Sequence, residues 1–106
     1  MSQAVASRPI DIDEILSDRG LVVVECSASW CGPCKVIGPL VDRLAREYGD
    51  RLRVVTLDVE ENKAFVKKIG LRSIPAVLIF QDGKLVENLV GLAPYTRFTR
   101  AIEQYL

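Results

Sequence analysis

Two unbroken apolar runs, Leu21-Val22-Val23-Val24 and Ala76-Val77-Leu78-Ile79-Phe80, leave no polar face for water to cover. Short runs of this kind read as strands buried on both faces of a sheet. Such a sheet needs helices on both sides, and helical patterns do alternate with the strands along the chain. Asp11 to Ser17 places Ile12, Ile15 and Leu16 on one helical face, carries acids near its start where the helix dipole favours them, and ends at Gly20. Val36, Ile37, Leu40, Val41, Leu44 and Ala45 form the stripe of a long amphipathic helix over residues 33–48, closed by Gly49 and expected to kink at Pro39. Leu52 to Val59 is a further strand, and Glu61 to Ile69 a helix ended by Gly70. Asp82-Gly83 supplies hairpin chemistry into a strand over Lys84 to Val90. Pro94 suits the first turn of a final helix whose stripe is Phe98, Ala101, Ile102 and Tyr105. Residues 1–9 read as a tail or weak edge strand, and residues 10–106 as one domain. Strands joined by helices imply a parallel core, to which the hairpin adds an antiparallel pair. The expected class is a mixed α/β sheet covered by helices on both faces.

Charge and composition remove several functions. Fourteen Lys and Arg offset fourteen Asp and Glu, so the formal net charge is zero. Nucleic acid is therefore not the expected partner, because phosphate binding needs a basic excess on one face. No apolar run approaches the roughly 20 residues that span a bilayer, so no membrane partner is expected. Residues 1–14 show neither a basic segment nor an apolar one of secretory type, and a cytoplasmic location is the expectation. Histidine is absent, which excludes Cys–His and Ser–His nucleophile pairs, His-ligated zinc and His proton shuttles.

The chemistry concentrates at Cys31-Gly32-Pro33-Cys34, between a buried strand and the long helix. A helix N-terminus carries about half a positive charge and unpaired N–H groups, so a thiolate held there is stabilised and becomes nucleophilic near neutral pH. Cys31 is expected outside the first turn and open to attack. Cys34 is expected on the same face one turn deeper, close enough for the two to form a disulfide. Pro33 stiffens the turn where its missing N–H costs nothing. Three other readings compete. A structural disulfide closing so short a loop would stabilise little. A zinc or iron–sulfur site lacks ligands, since Cys26 is the only other cysteine and there is no His. Two inert buried thiols fit poorly with Trp30, Gly32 and Pro33, which mark a loop. Redox chemistry is the reading these residues favour.

At these residues the chain resembles the thioredoxin family. Trp30-Cys31-Gly32-Pro33-Cys34-Lys35 matches that family's active-site motif, Ile74-Pro75 looks like its cis-proline pair, and Pro39, Asp82-Gly83 and Gly91 fall at matching spacings. The resemblance runs from about Leu21 to the C-terminus and more weakly over Ile10–Gly20. It implies a thioredoxin fold, with a mixed central sheet of four to five strands flanked by about four helices. It also implies thiol–disulfide exchange on protein substrates with no bound cofactor. Cys31 would attack a client disulfide, and Cys34 would then attack Cys31 and release the reduced client. Glu25, six residues before Cys31, stands where the family usually carries a buried Asp that accepts the proton of the second cysteine. Buried without a cation, its carboxyl should hold its proton more tightly than usual. A cis peptide at Ile74-Pro75 would offer the Ile74 backbone to an extended client. Trp30, Gly32, Pro33, Ile74 and Gly91 would form an apolar docking patch, with Arg72 beside it or simply solvated. The implied partners are disulfide-containing client proteins and a thioredoxin reductase, either an NADPH-linked flavoprotein or a ferredoxin-linked enzyme. The protein is expected to act as a monomer.

The chain also departs from the family pattern. Glu25 replaces the usual Asp, Thr56 stands where many members have a Lys near the buried acid, and Cys26 and Ser27 replace a common aromatic pair. Alternation along the strand puts Cys26 on the face opposite Glu25, and about five strand residues from Cys31 is too far for a disulfide. Cys26 therefore reads as a small buried hydrophobe. A different class of function, a thioredoxin-fold binding or regulatory module with incidental redox turnover, is opposed by the intact cysteine pair and Glu25.

Overall fold

The structure, a computed structural model, describes Ala4–Val5 and residues 11–106. The tail expected over residues 1–9, apart from the backbone at Ala4–Val5, lies outside the described residues. In chain order the elements are β1 (Ala4–Val5), α1 (Ile12–Leu16), β2 (Leu21–Ser27), α2 (Cys34–Tyr48), a short 3-10 turn (Gly49–Arg51), β3 (Arg53–Asp58), α3 (Lys63–Ile69), β4 (Ala76–Gln81), β5 (Lys84–Val90) and α4 (Tyr95–Glu103). They build a five-stranded sheet in the order β1-β3-β2-β4-β5. β1 and β2 each run parallel to β3.

The parallel core stops there. β4 pairs antiparallel with β2, Cys26 opposite Ala76 and Leu21 opposite Gln81, and then antiparallel with β5. Between Asp58 and Ala76 the chain passes through α3 without returning along the sheet. β4 starts at the end where β3 finished.

Alternation along β2 assigns its side chains to two cores. Leu21 and Val23 pack with Ile37, Val41 and Leu44 of α2 and Phe98, Ala101 and Ile102 of α4. Val22, Val24 and Cys26 pack on the other face with Ile15 of α1 and Phe65 of α3. There Phe65 meets Phe80 edge to face, ring centroids 6.5 Å apart. Cys34, Ile37, Val41, Leu44 and Tyr48 are the buried stripe of α2. Val36, expected in that stripe, is 56% exposed. One residue before Ile37 is a turn of about 100° around the axis, which carries Val36 off the core face. Pro39 lies inside α2, where it leaves the Lys35 carbonyl without its helical donor. Pro94 is the extended cap before α4 rather than its first helical residue, with ψ at 157°.

The end of the sheet away from the cysteines is tied down by the hairpin. Asp82 and Gly83 both have positive φ, 50° and 83°, as a two-residue hairpin turn requires. The Asp82 N–H donates to the Gly20 carbonyl at 2.9 Å, and the Gly20 N–H donates to Asp82 Oδ1 at 2.8 Å.

Candidate active site

Three loops meet at the other end of the sheet. The first runs from β2 into α2. Its Cys31 N–H donates to the Ala28 carbonyl at 3.1 Å, and Pro33 caps α2 with φ already helical at −60°. Cys31 and Cys34 are joined as a disulfide across 5.4 Å between Cα atoms. The Cys34 N–H, one of the free donors of the first turn of α2, points at Cys31 Sγ from 3.3 Å. That donor and the helix dipole favour negative charge on Cys31 when the bond is reduced.

The openness expected of Cys31 is not present in this oxidised state, where Cys31 and Cys34 are each 4% exposed. The two cysteines share one small apolar cluster with Ala28, against which Val59 and Ile74 pack, so exposure does not distinguish them. Their electrostatic surroundings do. Cys31 faces the helix N–H, while Cys34 lines a cleft with Glu25.

The second loop carries Ile74–Pro75, whose peptide bond is cis. The third follows β5, and there the Gly91 N–H donates to the Pro75 carbonyl at 2.8 Å. Trp30, 65% exposed, donates its indole N–H to Glu60 Oε2 at 2.9 Å. Trp30, Val59, Val66, Leu71, Arg72 and Ile74 border a shallow groove of about 160 Å³. Gly32 and Pro33 are exposed beside the disulfide. Sequence reasoning missed Glu60 and Val59, which reach the site from the loop after β3.

Beneath the N-terminal half of α2 lies Glu25, buried at 3% exposure. It projects from the face of β2 that carries Leu21 and Val23, flanked in register by Thr56 of β3 and Val77 of β4. Thr56 Oγ1 donates to Glu25 Oε1 at 3.0 Å. Oε2 lies against α2 at Gly38, where a Cβ would sit 3.7 Å away. Burial raises the proton affinity of this carboxyl above the usual carboxylate range; the Thr56 hydrogen bond opposes that, and the charge of Asp42 adds to it. A cleft of about 460 Å³ opens beside it, bordered by Ser27, Cys34, Lys35, Gly38, Asp42, Thr56 and Asp58. Lys35 therefore belongs to the Glu25 side of the site and not to the apolar patch. Among the described residues no three Cys, Asp or Glu side chains converge so as to hold a metal ion. Cys26 is fully buried in the opposite core as a free thiol, pushed up to about 12 by burial and then by the Glu25 charge. A thiol in that state is not a nucleophile.

The arrangement offers a reversible disulfide with one sulfur set to be a thiolate, a buried carboxyl on the side of the other sulfur, and an apolar rim. Comparison with known proteins agrees with this chemistry. Residues 6–104 match the family model described as Thioredoxin. Thioredoxin 1 of Synechococcus elongatus is 38% identical over 93 residues, covering 88% of this chain and 87% of that one. Thioredoxin of Bacillus subtilis is 39% identical over 90 residues, covering 85% and 86%. Among solved structures, a mutant thioredoxin from Halobacterium salinarum superposes with a TM-score of 0.80 at 33% identity, covering 97% of this chain and 95% of that one.

Proposed function

This chain belongs to the thioredoxin family and is a thiol–disulfide oxidoreductase, and within that activity we propose that Cys31 attacks, Cys34 resolves and Glu25 accepts the resolving proton. The observation that supports these roles is the direction of the α2 N-terminus, whose Cys34 N–H meets Cys31 Sγ at 3.3 Å while Glu25 lies on the Cys34 side. The reduced Cys31 thiolate attacks one sulfur of a client disulfide. A Cys31–client disulfide forms, and the other client sulfur leaves as a thiolate. Glu25, as a carboxylate, takes the proton of the Cys34 thiol. Cys34 then attacks Cys31, the Cys31–Cys34 bond forms, and the client's second sulfur leaves. The client gains two electrons and the protein loses two.

Thioredoxins act on disulfide substrates and are re-reduced by a thioredoxin reductase or a ferredoxin-thioredoxin reductase. We assign protein disulfides as the clients here. Support comes from the exposed Trp30 and from Ile74, which border one groove; with Gly32, Pro33 and Gly91 they would form an apolar rim for an extended segment that pairs with the Ile74 backbone. The monomer is the proposed working unit. The proposed location is a reducing, cytoplasmic compartment, where a dithiol that donates electrons to clients is kept reduced between turnovers.

Reduction of insulin disulfides by the dithiothreitol-reduced protein tests the roles. Cys31→Ser should abolish turnover. Cys34→Ser should stop after one attack, leaving a mixed disulfide on Cys31 that can be isolated. A mixed disulfide accumulating instead on Cys34 in Cys31→Ser would reverse the assignment.

A further inference from the structure

Along α2, Cys34, Gly38 and Asp42 follow one another at four-residue spacing, so they share a face at about 6 Å per step. All three border the cleft that holds Glu25. Gly38 is the middle member, and its missing side chain lets Glu25 Oε2 lie against the helix between the turn of Cys34 and the turn of Asp42. Oε1 is occupied by the Thr56 hydroxyl, and no donor among the described residues reaches Oε2. The cleft is open to solvent at the half-buried Asp42. Along one helix face, then, lie the sulfur that must lose a proton, the carboxyl that takes it, and a second carboxyl nearer to water.

We propose that Asp42 is a positioning residue for the resolving step, holding on Glu25 the proton taken from Cys34 until it passes through the cleft to solvent. The proposal rests on Glu25 being the proton acceptor. Thr56 brings no positive charge to the buried acid, and Asp42 brings a negative one. Like charge across a partly desolvated cleft favours the protonated partner. The remaining charged groups facing Glu25 are Lys35 of α2 and Asp58 of β3. Asp58 is already engaged, its Oδ1 accepting the Glu60 N–H at 2.7 Å.

The step balances within the known reaction. The Cys34 S–H bond breaks and an O–H bond forms on Glu25. The Cys34 thiolate displaces the client thiolate from Cys31, and Glu25 later returns its proton to water.

The test uses neutral dithiodipyridine, which gives one burst of thiopyridone when Cys31 attacks and a second when Cys34 resolves. Rapid mixing with the reduced protein across pH separates the two bursts. Asp42→Asn should move the rising limb of the second burst to lower pH by about half a unit or more, a roughly threefold change in the fraction of Glu25 ionised at a given pH. The first burst should be unchanged. Asp42→Glu should restore the wild-type limb, and Asp58→Asn should leave it in place. Carbon-13 titration of the Glu25 carboxyl in the oxidised protein should move with Asp42→Asn in the same direction. A Glu25 titration unmoved by Asp42→Asn would overturn the proposal, even where Glu25→Gln still slows the second burst. A Glu25 titration that moves while the limb stays would overturn it through its premise, showing that Glu25 is not the base.

Discussion

Thr56→Val removes the one side-chain donor to a buried carboxyl while keeping the β-branched shape of the strand residue. The bond at stake is Thr56 Oγ1 to Glu25 Oε1, 3.0 Å long and inside the sheet. Its worth depends on the ionisation of Glu25. A neutral hydrogen bond contributes about 0.5–1.5 kcal/mol, and one to a charged group about 1.5–3 kcal/mol. The proton affinity of Glu25 is raised on folding, chiefly by burial. Between the unfolded value of 4.5 and the folded one, the native state therefore binds more protons than the unfolded chain, and Glu25 costs stability progressively as pH rises through that window. The Thr56 bond opposes that cost, so its loss widens the window upward. Urea unfolding of the oxidised protein, in which neither Cys31 nor Cys34 titrates, isolates the effect. At about pH 3.5, with Glu25 protonated, the variant should lose about 0.5–1.5 kcal/mol. At about pH 9 it should lose about 1.5–3 kcal/mol, a further loss of roughly 1 kcal/mol. The extra methyl at half-buried residue 56 returns a few tenths of a kcal/mol at most, equally at both pH values, and cancels in the difference. Equal losses at the two pH values would refute the reasoning, because the hydroxyl would not then be serving an ionised carboxylate.

Three other outcomes follow from the same geometry. Gly83→Ala combines an unfavourable positive φ, worth about 1–2 kcal/mol, with a Cβ that would collide with the Leu16 carbonyl oxygen. It should lower the melting temperature by more than about 8 °C, whereas Gly32→Ala, with open space at its Cα, should stay within about 2 °C. Iodoacetamide at neutral pH should label Cys31 first in the reduced protein, read by peptide mass, with Cys26 last because its thiol lies near 12; earlier labelling of Cys34 would contradict the helix N–H argument. Glu25→Gln should stabilise the protein above the window opened by the raised Glu25 carboxyl and lose that advantage below 4.5, while slowing only the second thiopyridone burst; destabilisation at neutral pH with unchanged kinetics would make Glu25 a structural strand residue.

Much of this site was legible from local chemistry. Period-two alternation in β2 was enough to separate Glu25 from Cys26, and the two do lie in opposite layers. Glycines, prolines and the apolar runs placed the elements from α1 onward to within about two residues, except that β2 continues three residues past the Leu21–Val24 run to Ser27. What sequence did not reveal depends on contacts between distant segments. The enclosure of Cys31 comes from Val59 and Ile74, 28 and 43 residues away along the chain. The Glu60 acceptor for Trp30 is likewise a partner from another loop. Val36 differs from Leu40 and Ala45, the outer members of the other adjacent pairs, which do pack on the core; it lies in the first turn of α2 and is exposed there. Asp42 reads in sequence as a polar residue on a helix. Only its spacing from Cys34 through Gly38, over a buried Glu25, gives it a neighbour to act on.

The least legible feature, the reversal of β4, is also the one that assembles the site. β2 and β3 run parallel, so both deliver their C-terminal loops, and β2 delivers the start of α2, to one end of the sheet. Because β4 runs the other way, its N-terminal residue Ala76 pairs with Cys26 at that same end, and Ile74–Pro75 arrives beside the disulfide. A parallel β4 would begin at the other end, about 20 Å away over six residues. The antiparallel direction of β4 is thus what the site requires, since a parallel β4 would have separated the proline loop from the cysteines. The hairpin completes the reactive end. Turning at Asp82-Gly83, it sends β5 back to the reactive end, where Gly91 binds Pro75, while Asp82 and Gly83 lock against Gly20 and Leu16 at the far end. Backbone locking and exchange chemistry therefore occupy opposite ends of the same strands, so that substitutions at Gly83 should leave the proton step untouched while those at Glu25 and Asp42 change it.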